Sequence, residues 1–306
     1  MTSVLYDVPG PRARARNRIL GIITILVVLA GIGFVVWRFA VTGQFSAEKW
    51  YVFTFSAVWM RFLDATIATL AAFGAAAVGA VVLGFVLALG RLSDHAWVRV
   101  PFAWIIELLR AVPVLIFMLL LYYGLPVIGV KMPNYWAVVI ALIAYNGSVL
   151  AEVIRAGVES LPRGQKEAGY AIGLRKAGVM RLVLLPQAIR AMLPVIIAQL
   201  VVTLKDTALG FIITYPELLY FAKLLGSNAQ YGSPLIQAAL IAGAIYIALC
   251  LLLSYIARVV ERRAHRVDGT ESAVDPLHHP VPATTDTELI AAQKDTGRRR
   301  PGGQAH

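Results

Sequence analysis

Residues 65–90 read ATIATLAAFGAAAVGAVVLGFVLALG, a stretch without a single charged side chain. A helix needs about 20 apolar residues to cross a hydrocarbon core of about 30 Å. Including this one, the stretches that are long and apolar enough lie at residues 19–40, 65–90, 102–123, 136–155, 189–212 and 235–257. The sequence therefore predicts an all-α integral membrane protein with six transmembrane helices.

The composition supports a membrane protein and argues against several other classes. The chain has 306 residues, of which 59% are hydrophobic and 15% charged, whereas a soluble domain carries about 25% charged residues. Its net charge of +11 lies at the ends of apolar runs, not in the aromatic-interleaved patch that nucleic acid requires, so we expect no nucleic-acid partner. The single cysteine, Cys250, argues against a disulfide or a cysteine metal site, and we predict no metal.

Basic residues predict the orientation of the spans. The segments on one side are rich in arginine and lysine, and those on the other hold only Lys49, Arg61, Lys131 and Lys223. The positive-inside rule then places both termini in the cytoplasm. Residues 1–18 form a basic N-terminus, and residues 267–306 a polar tail that we expect to be disordered. The first span, 19–40, resembles a signal peptide in outline but lacks a small-residue cleavage site, so a retained signal-anchor helix is favoured over a cleaved leader.

The loop between the fourth and fifth spans carries the strongest pattern, LPRGQKEAGYAIGLRKAGVMRLVLLP at residues 161–186. Pro162 is suited to opening a short helix, and Gly173 to ending it by taking positive φ. The apolar side chains of that helix fall on one narrow face, which consists of Ala168, Ala171 and Ile172. Such a face can approach another protein closely. The alternative is an amphipathic loop lying on the bilayer surface.

This loop resembles the cytoplasmic loop of permease subunits of bacterial ABC importers. The family pattern is Glu-Ala-Ala, three residues, Gly, nine residues, Ile, any residue and Leu-Pro. The matching positions are Glu167-Ala168-Gly169, Gly173, Val183 and Leu185-Pro186. The spacing agrees with the family pattern throughout. The residue type differs from the pattern at two positions, where Gly169 replaces the second alanine and Val183 replaces isoleucine. Glycine loosens a helix by roughly 0.5–1 kcal/mol relative to alanine.

The resemblance covers about residues 60–260 and looks like the polar-amino-acid branch of the family. It includes LRAVP at 109–113, YYGLP at 122–126, AEVIRAG at 151–157, LPQA at 185–188 and KDTAL at 205–209. The N-terminal VLYDVPGP, the added first span and the long tail look most like the larger permease of the actinobacterial glutamate importer. The implied architecture is a five-helix type I importer core with one additional helix at 19–40 and a coupling loop at 156–188.

The resemblance implies an ATP-driven importer in the bacterial cell membrane that moves a polar amino acid, glutamate in particular, by alternating access. Its partners would be two ATPase subunits, a second permease that is a distinct homologue, and an extracellular solute-binding lipoprotein. ATP and Mg would be bound by the ATPases, since no lysine of this chain follows a glycine as a phosphate-cradling loop requires. The alternatives are a stand-alone ion-coupled carrier or channel, and an integral membrane enzyme, for which no catalytic set is found.

The predicted coupling residues are those that match the family motif and its surroundings: Gly164, Gln165, Glu167, Ala168, Gly173, Leu185 and Pro186. The resemblance implies that Glu167 forms an ion pair or a hydrogen bond with the ATPase. A second role for Glu167 is structural: its negative charge near the N-terminus of the helix interacts favourably with the helix dipole and stabilises the helix by about 0.3–1 kcal/mol. The two roles are compatible.

Charged residues within the spans are candidates for the solute pathway, because each costs roughly 2.5–3.5 kcal/mol to insert. Lys205 and Asp206 are adjacent, so on a helix they do not pair on one face. We hypothesise that Lys205, with Thr203 and Thr207 nearby, lines the pathway and attracts a substrate carboxylate. An interhelical ion pair that fixes packing is the competing interpretation.

Two further pairs lie near the cytoplasmic ends of spans. Glu107 with Arg110, and Glu152 with Arg155, are spaced i, i+3 and are expected to form local ion pairs, with a role in an inner gate as the alternative. Glu152 and Arg110 are therefore also candidates for the solute pathway. Prolines within spans, at 113 and 194, are predicted to kink them. The uncharged polar residues are predicted to form interhelical hydrogen bonds, and they are Asn146, Ser148 and Gln199.

Overall fold

The structure, a computed structural model, describes residues 10–266. The expectations for residues 1–9 and for the polar tail at 267–306 fall outside that range. Within it, every regular element is helical. The α-helices are α1 (Pro11–Val41), α2 (Ala47–Tyr51), α3 (Ser56–Arg91), α4 (Ala96–Ala111), α5 (Val114–Leu119), α6 (Leu125–Val127), α7 (Asn134–Glu159), α8 (Arg163–Ala171), α9 (Lys176–Gly178), α10 (Leu185–Asp206), α11 (Leu218–Gly226) and α12 (Leu235–Arg266).

Five of the predicted spans are single long apolar helices, and the third is broken. α4 and the helical stretch Val114–Val127 meet at an angle of 94°, so the kink predicted at Pro113 is confirmed, and it divides the predicted span at 102–123 into two helices. Pro113 cannot donate a backbone hydrogen bond, and it drives Val112 into an extended conformation with ψ of 120°. The chain has six spans if the bent pair counts as one. α10, in contrast, runs through Pro194 as one helix.

Small side chains allow α3 and α7 to pack closely along their length. The buried face of α3 repeats every three or four residues and consists of Phe62, Ala65, Thr69, Ala72, Ala76, Ala80, Gly84, Leu87 and Ala88. A methyl group on Gly84 would lie 2.8 Å from the Cβ of Leu150 and 3.0 Å from the carbonyl oxygen of Gly147. Close backbone approach of this kind is how helices associate in lipid, where no hydrophobic effect drives them together.

Three clusters of buried side chains follow one another along the bundle. At the end that carries α8, Leu87, Ile154 and Leu184 belong to one cluster. In the middle, Ala76, Ala141 and Ile213 belong to a second. At the end that carries α11, residues of α3, α11 and α12 such as Phe62, Leu218 and Ala238 form a third. We refer to these two ends as the α8 end and the α11 end.

α1 stands apart from this core. None of its apolar stretch is buried against the other described residues. The residues that follow it are nevertheless attached at the α11 end, where the Gln237 side-chain amide donates a hydrogen bond to the Gln44 carbonyl and Val52 and Phe53 are buried. The arrangement fits a membrane anchor whose surface is left for lipid, followed by a segment that belongs to the bundle.

Candidate functional site

The predicted coupling helix forms as α8, and its two ends have the predicted chemistry. Pro162 stands at its N-cap in an extended conformation, and Gly173 follows its C-terminus with φ of +83°. The Leu174 amide donates to the Gly169 carbonyl at 3.2 Å, and the Gly173 amide to the Tyr170 carbonyl at 2.9 Å. These two bonds form a Schellman motif, which requires a residue that tolerates positive φ.

Nearly all of α8 is exposed in this chain. Gly169 is its only buried residue, and the Ile172 side chain just beyond the helix is 76% exposed. The narrow face formed by Ala168, Ala171 and Ile172 is therefore open on the surface. Glu167 is exposed as well, and its carboxylate makes no hydrogen bond or ion pair with any other described residue.

The departure at Gly169 has a structural reason. A methyl group at this position would lie 2.9 Å from Val179 Cγ2 and 3.2 Å from Val179 Cγ1. Val179 is 1% exposed and belongs to the cluster at the α8 end, so it has little freedom to move. Glycine thus brings α8 against the chain that leads into α10, and this contact offsets part of the flexibility that glycine introduces.

Polar contacts attach the loop to the rest of the bundle. The Gln187 side chain on α10 donates to Gln165 on α8 at 3.2 Å. Lys176 forms an ion pair with Asp94 in the turn after α3, and it also donates to the Leu92 carbonyl at 3.3 Å. The hydrogen bond from Lys176 lowers the pKa of the Asp94 carboxyl. Gln165 therefore connects α8 to α10, and Lys176 connects α9 to the α3–α4 turn, whereas Gly164 is exposed with open space around it.

The Leu-Pro pair of the motif stands where a π-helical segment, Val179–Leu184, becomes α10. Leu185 is buried at the α8 end, and Pro186 is in the first turn of the helix. A proline has no N–H to donate to the carbonyl four residues earlier, and a wider π turn accommodates this loss. The other π segment, Leu120–Gly124, likewise precedes a Leu-Pro pair.

Residues 80–266 match the family described as binding-protein-dependent transport system inner membrane component. The match covers more than half of the chain. The chain belongs to this family. The permease is therefore a multi-pass inner-membrane translocation subunit and not an enzyme, and permease subunits of these systems bind no cofactor themselves.

Curated relatives and solved structures agree with this membership. The permease is 40% identical to the glutamate transport system permease GluD of Corynebacterium glutamicum, over 71% of this chain and 81% of that one. It is 34% identical to the arginine transport permease ArtQ of Bacillus subtilis, over 60% and 83%. A crystal structure of an amino acid ABC transporter with histidines matches with a TM-score of 0.60 at 32% identity, over 66% and 94%.

The pathway candidates on α10 do not share one surface of the permease. Lys205 is exposed and Asp206 partly buried, and neither forms an ion pair with a described residue. Thr203 and Thr207 are fully buried, and their hydroxyls donate to carbonyls of their own helix at 2.9 and 2.6 Å. All four residues remain pathway predictions, and the interhelical ion pair is not formed among the residues that the structure describes.

The charged pairs at the α8 end have different outcomes. Arg155 contacts Glu152 at 2.8 Å and Glu159 at 2.5 Å, which confirms the pair on α7. Arg91 on α3 approaches Glu152 at 3.8 Å, a link between helices that the sequence did not indicate. The expected pair of Glu107 with Arg110 is wrong, because both are exposed on α4 and no ion pair joins them, as is common for residues whose pairing would gain little in water.

Two of the three predicted interhelical hydrogen-bond residues are confirmed. Gln199 on α10 donates to the Asn146 side chain on α7 at 2.7 Å. Ser148 instead donates to the Tyr145 carbonyl of its own helix at 2.7 Å, so the prediction for it is wrong. A serine hydroxyl can bond back to a nearby carbonyl in its own helix, and this local partner competes with a neighbouring helix.

Sequence reasoning missed a buried carboxylate at the α11 end. Glu217 is fully buried and caps α11 by accepting hydrogen bonds from the Leu219 amide at 2.8 Å and the Tyr220 amide at 2.7 Å. The Tyr246 hydroxyl on α12 donates to it at 2.7 Å. Burial raises the pKa of Glu217 to about 7. The signal available in the sequence was an acidic residue directly before an apolar run, which is an N-cap pattern.

Proposed function

We propose that the protein is the permease subunit of an ATP-driven importer for a polar amino acid, and that its solute is glutamate. The observation that carries the proposal is α8, a helix with well-formed ends whose apolar face is left uncovered by the residues that the structure describes. The relative named for glutamate transport supports the solute. The relatives named for arginine and glutamine transport support the broader class.

α8 would dock into a groove of a cytoplasmic ATPase, with Glu167 bonded to that partner. The ATPase pair binds ATP with Mg, and its closure moves α8. The contacts of Gly169 with Val179 and of Gln165 with Gln187 tie this movement to the base of α10. Because α10 packs on α7 through the Gln199–Asn146 bond, displacement of α8 would reach the helices of the pathway and alternate its access.

The remaining parts of the complex follow from the same proposal. Two ATPases, a second permease that is a distinct homologue, and an extracellular solute-binding lipoprotein complete the transporter. The α8 end faces the cytoplasm together with both termini, since the basic residues concentrate on that side. Residues 60–260 form the permease domain with its coupling loop at 156–188, residues 19–40 an additional anchor helix, and residues 1–18 and 267–306 cytoplasmic extensions.

Purification and reconstitution test the proposal. The tagged chain, extracted from its own membrane, is expected to bring down an ATPase and a sister permease. In proteoliposomes that complex, supplied with the binding lipoprotein, is expected to accumulate radiolabelled glutamate with ATP and not with a non-hydrolysable analogue. Accumulation by vesicles that hold this chain alone, driven by an ion gradient, would instead establish the stand-alone carrier.

A further inference from the structure

A pocket of about 400 Å³ opens at the α11 end, between the 3₁₀ segment Thr207–Ile213 and α11. Its polar lining comes from Thr214, Tyr220, Lys223 and Ser227. None of these residues belongs to the coupling loop or to the candidates on α10. With the orientation proposed above, the pocket lies on the outer side of the membrane, where a solute would arrive.

Lys223 supplies a positive charge that the described part of the chain leaves without a counter-ion. Its ammonium lies 5.2 Å from the centroid of the Phe211 ring, and it pairs with no carboxylate among the described residues. The acid at the start of the same helix, Glu217, is fully buried and its oxygens are occupied by the Leu219 and Tyr220 amides and by Tyr246. The aromatic ring holds the ammonium in place without neutralising it.

Three residues that carry hydroxyl groups line the same pocket as Lys223. Tyr220 and Ser227 have hydroxyls that bond to no other described residue, so both are available as donors. Thr214 occupies the left-handed region with φ of 59°, and its carbonyl accepts a hydrogen bond from the Asn134 side chain at 3.0 Å. Non-glycine residues in this region are strained and are retained where the surroundings fix them, often at functional sites.

We propose that this pocket binds the side-chain carboxylate of an acidic solute on the outer side of the permease. An ammonium with two free hydroxyl donors matches the acceptor oxygens of a carboxylate, and the Phe211 ring offers an apolar wall for methylene groups. The buried Glu217 positions the pocket by holding the start of α11 against α12. This inference rests on the proposed function, since it takes an acidic amino acid as the solute.

Direct binding to the complete transporter tests the pocket. The complex in nanodiscs, without binding protein, is incubated with radiolabelled L-glutamate or with L-glutamine, which differs in the side-chain charge. Lys223→Gln is expected to weaken glutamate binding at least tenfold and to leave glutamine binding unchanged. Lys223→Arg, which keeps the charge, is expected to stay within a few-fold of the wild type. The matched control is Lys131→Gln, which replaces an exposed lysine of another loop. It is expected to change neither glutamate binding nor glutamine binding.

Three results would overturn the inference. The first is that Lys223→Gln binds glutamate as tightly as Lys131→Gln does. The second is that the wild-type complex transports glutamate but shows no direct glutamate binding. The third is a Lys223→Gln defect confined to the affinity for the binding protein, which would identify a protein carboxylate as the ligand. Glutamate accumulation by the complete wild-type system is scored separately, so the pocket can fail while the proposed function stands.

Discussion

α8 and α11 are helices of the same length at opposite ends of the bundle, and their surroundings differ completely. Each has nine residues. α11 buries Leu218, Ala222 and Leu225 in the cluster at its end, whereas α8 buries only Gly169. An isolated helix of nine residues is marginal in water, so each helix needs support from outside itself.

The two helices obtain that support in different ways. α11 is held by core packing and by Glu217, whose carboxylate caps it and accepts from Tyr246 on α12. α8 is held at its ends, by the Schellman motif at Gly173 and by the Gln187–Gln165 bond, and the side chains of its apolar face stay exposed. α11 is thus a fixed part of the bundle, and α8 is a well-formed helix that the described residues leave exposed.

The largest effect is expected from reversing the charge of the exposed helix. A Glu167→Lys subunit should reach the membrane, because Glu167 contacts no other described residue and is exposed. It should lose most uptake and most solute-stimulated ATPase activity, at least tenfold, because a charge-assisted contact to a partner contributes about 1.5–3 kcal/mol. Both quantities are measured in the reconstituted complex, together with the amount of ATPase that copurifies.

Glu48→Lys is the matched control for that variant. Glu48 is an exposed acid on α2, at the α11 end, so the same change of charge is made far from the coupling loop. Its uptake should stay close to that of the wild type. Normal uptake and normal ATPase copurification by Glu167→Lys would remove this residue from the coupling contact and weaken the contrast between the two helices.

A pH-dependent effect is expected at the buried cap of α11. The Tyr246 hydroxyl from α12 donates to Glu217, the phenol of Tyr215 interacts with it electrostatically, and no described cation pairs with it. Burial raises its pKa from 4.5 to about 7, so the folded state holds this proton more tightly than the unfolded state. Its contribution to stability is therefore present at low pH and is lost as the pH rises from about 4.5 to about 7.

The measurement is the melting temperature of the detergent-solubilised complex at pH 5 and at pH 8. The glutamine of Glu217→Gln does not titrate. The stability of the wild type relative to this variant should therefore decrease by about 1–3 kcal/mol from pH 5 to pH 8. Glu48→Gln, which alters an exposed acid at the same end, should melt in parallel with the wild type. If the melting temperature of the wild type minus that of Glu217→Gln stays constant or increases with pH, the raised pKa of Glu217 is contradicted.

The same contrast explains which features could be predicted from the sequence. The ends of α8 depend on Pro162 and Gly173, whose backbone preferences are local, and the six apolar stretches depend on composition. The burial of Glu217 depends on contacts from far along the chain, because Tyr246 is 29 residues away and the Leu218 amide donates to Thr69 across 149 residues. A single sequence without pairing information gives no sign of such contacts.

The errors have equally specific causes. The kink expected at Pro113 is present, but its size of 94°, which also involves the extended Val112, was not predicted. The spacing of Glu107 and Arg110 permits an ion pair without requiring it, because both side chains reach the surface. The role of Gly169 was hidden because its partner, Val179, lies beyond the turn that ends α8.

The contact between Gly169 and Val179 gives the smallest expected effect, and it tests how α8 is held in place. Gly169→Ala should favour the helix by about 0.5–1 kcal/mol, but its methyl group would lie 2.9 Å from a buried Val179, and such overpacking typically costs about 1–3 kcal/mol. We therefore expect the opposing effects to leave a reduction of only about twofold in the uptake rate, with ATPase copurification unchanged. Val179→Ala in the same chain removes the clash, so the double variant should recover uptake, and the four rates of this cycle isolate the coupling between the two positions. If Gly169→Ala alone transports faster than the wild type, helix propensity outweighs packing at this position, and α8 is fixed by its ends rather than by its contact with the base of α10.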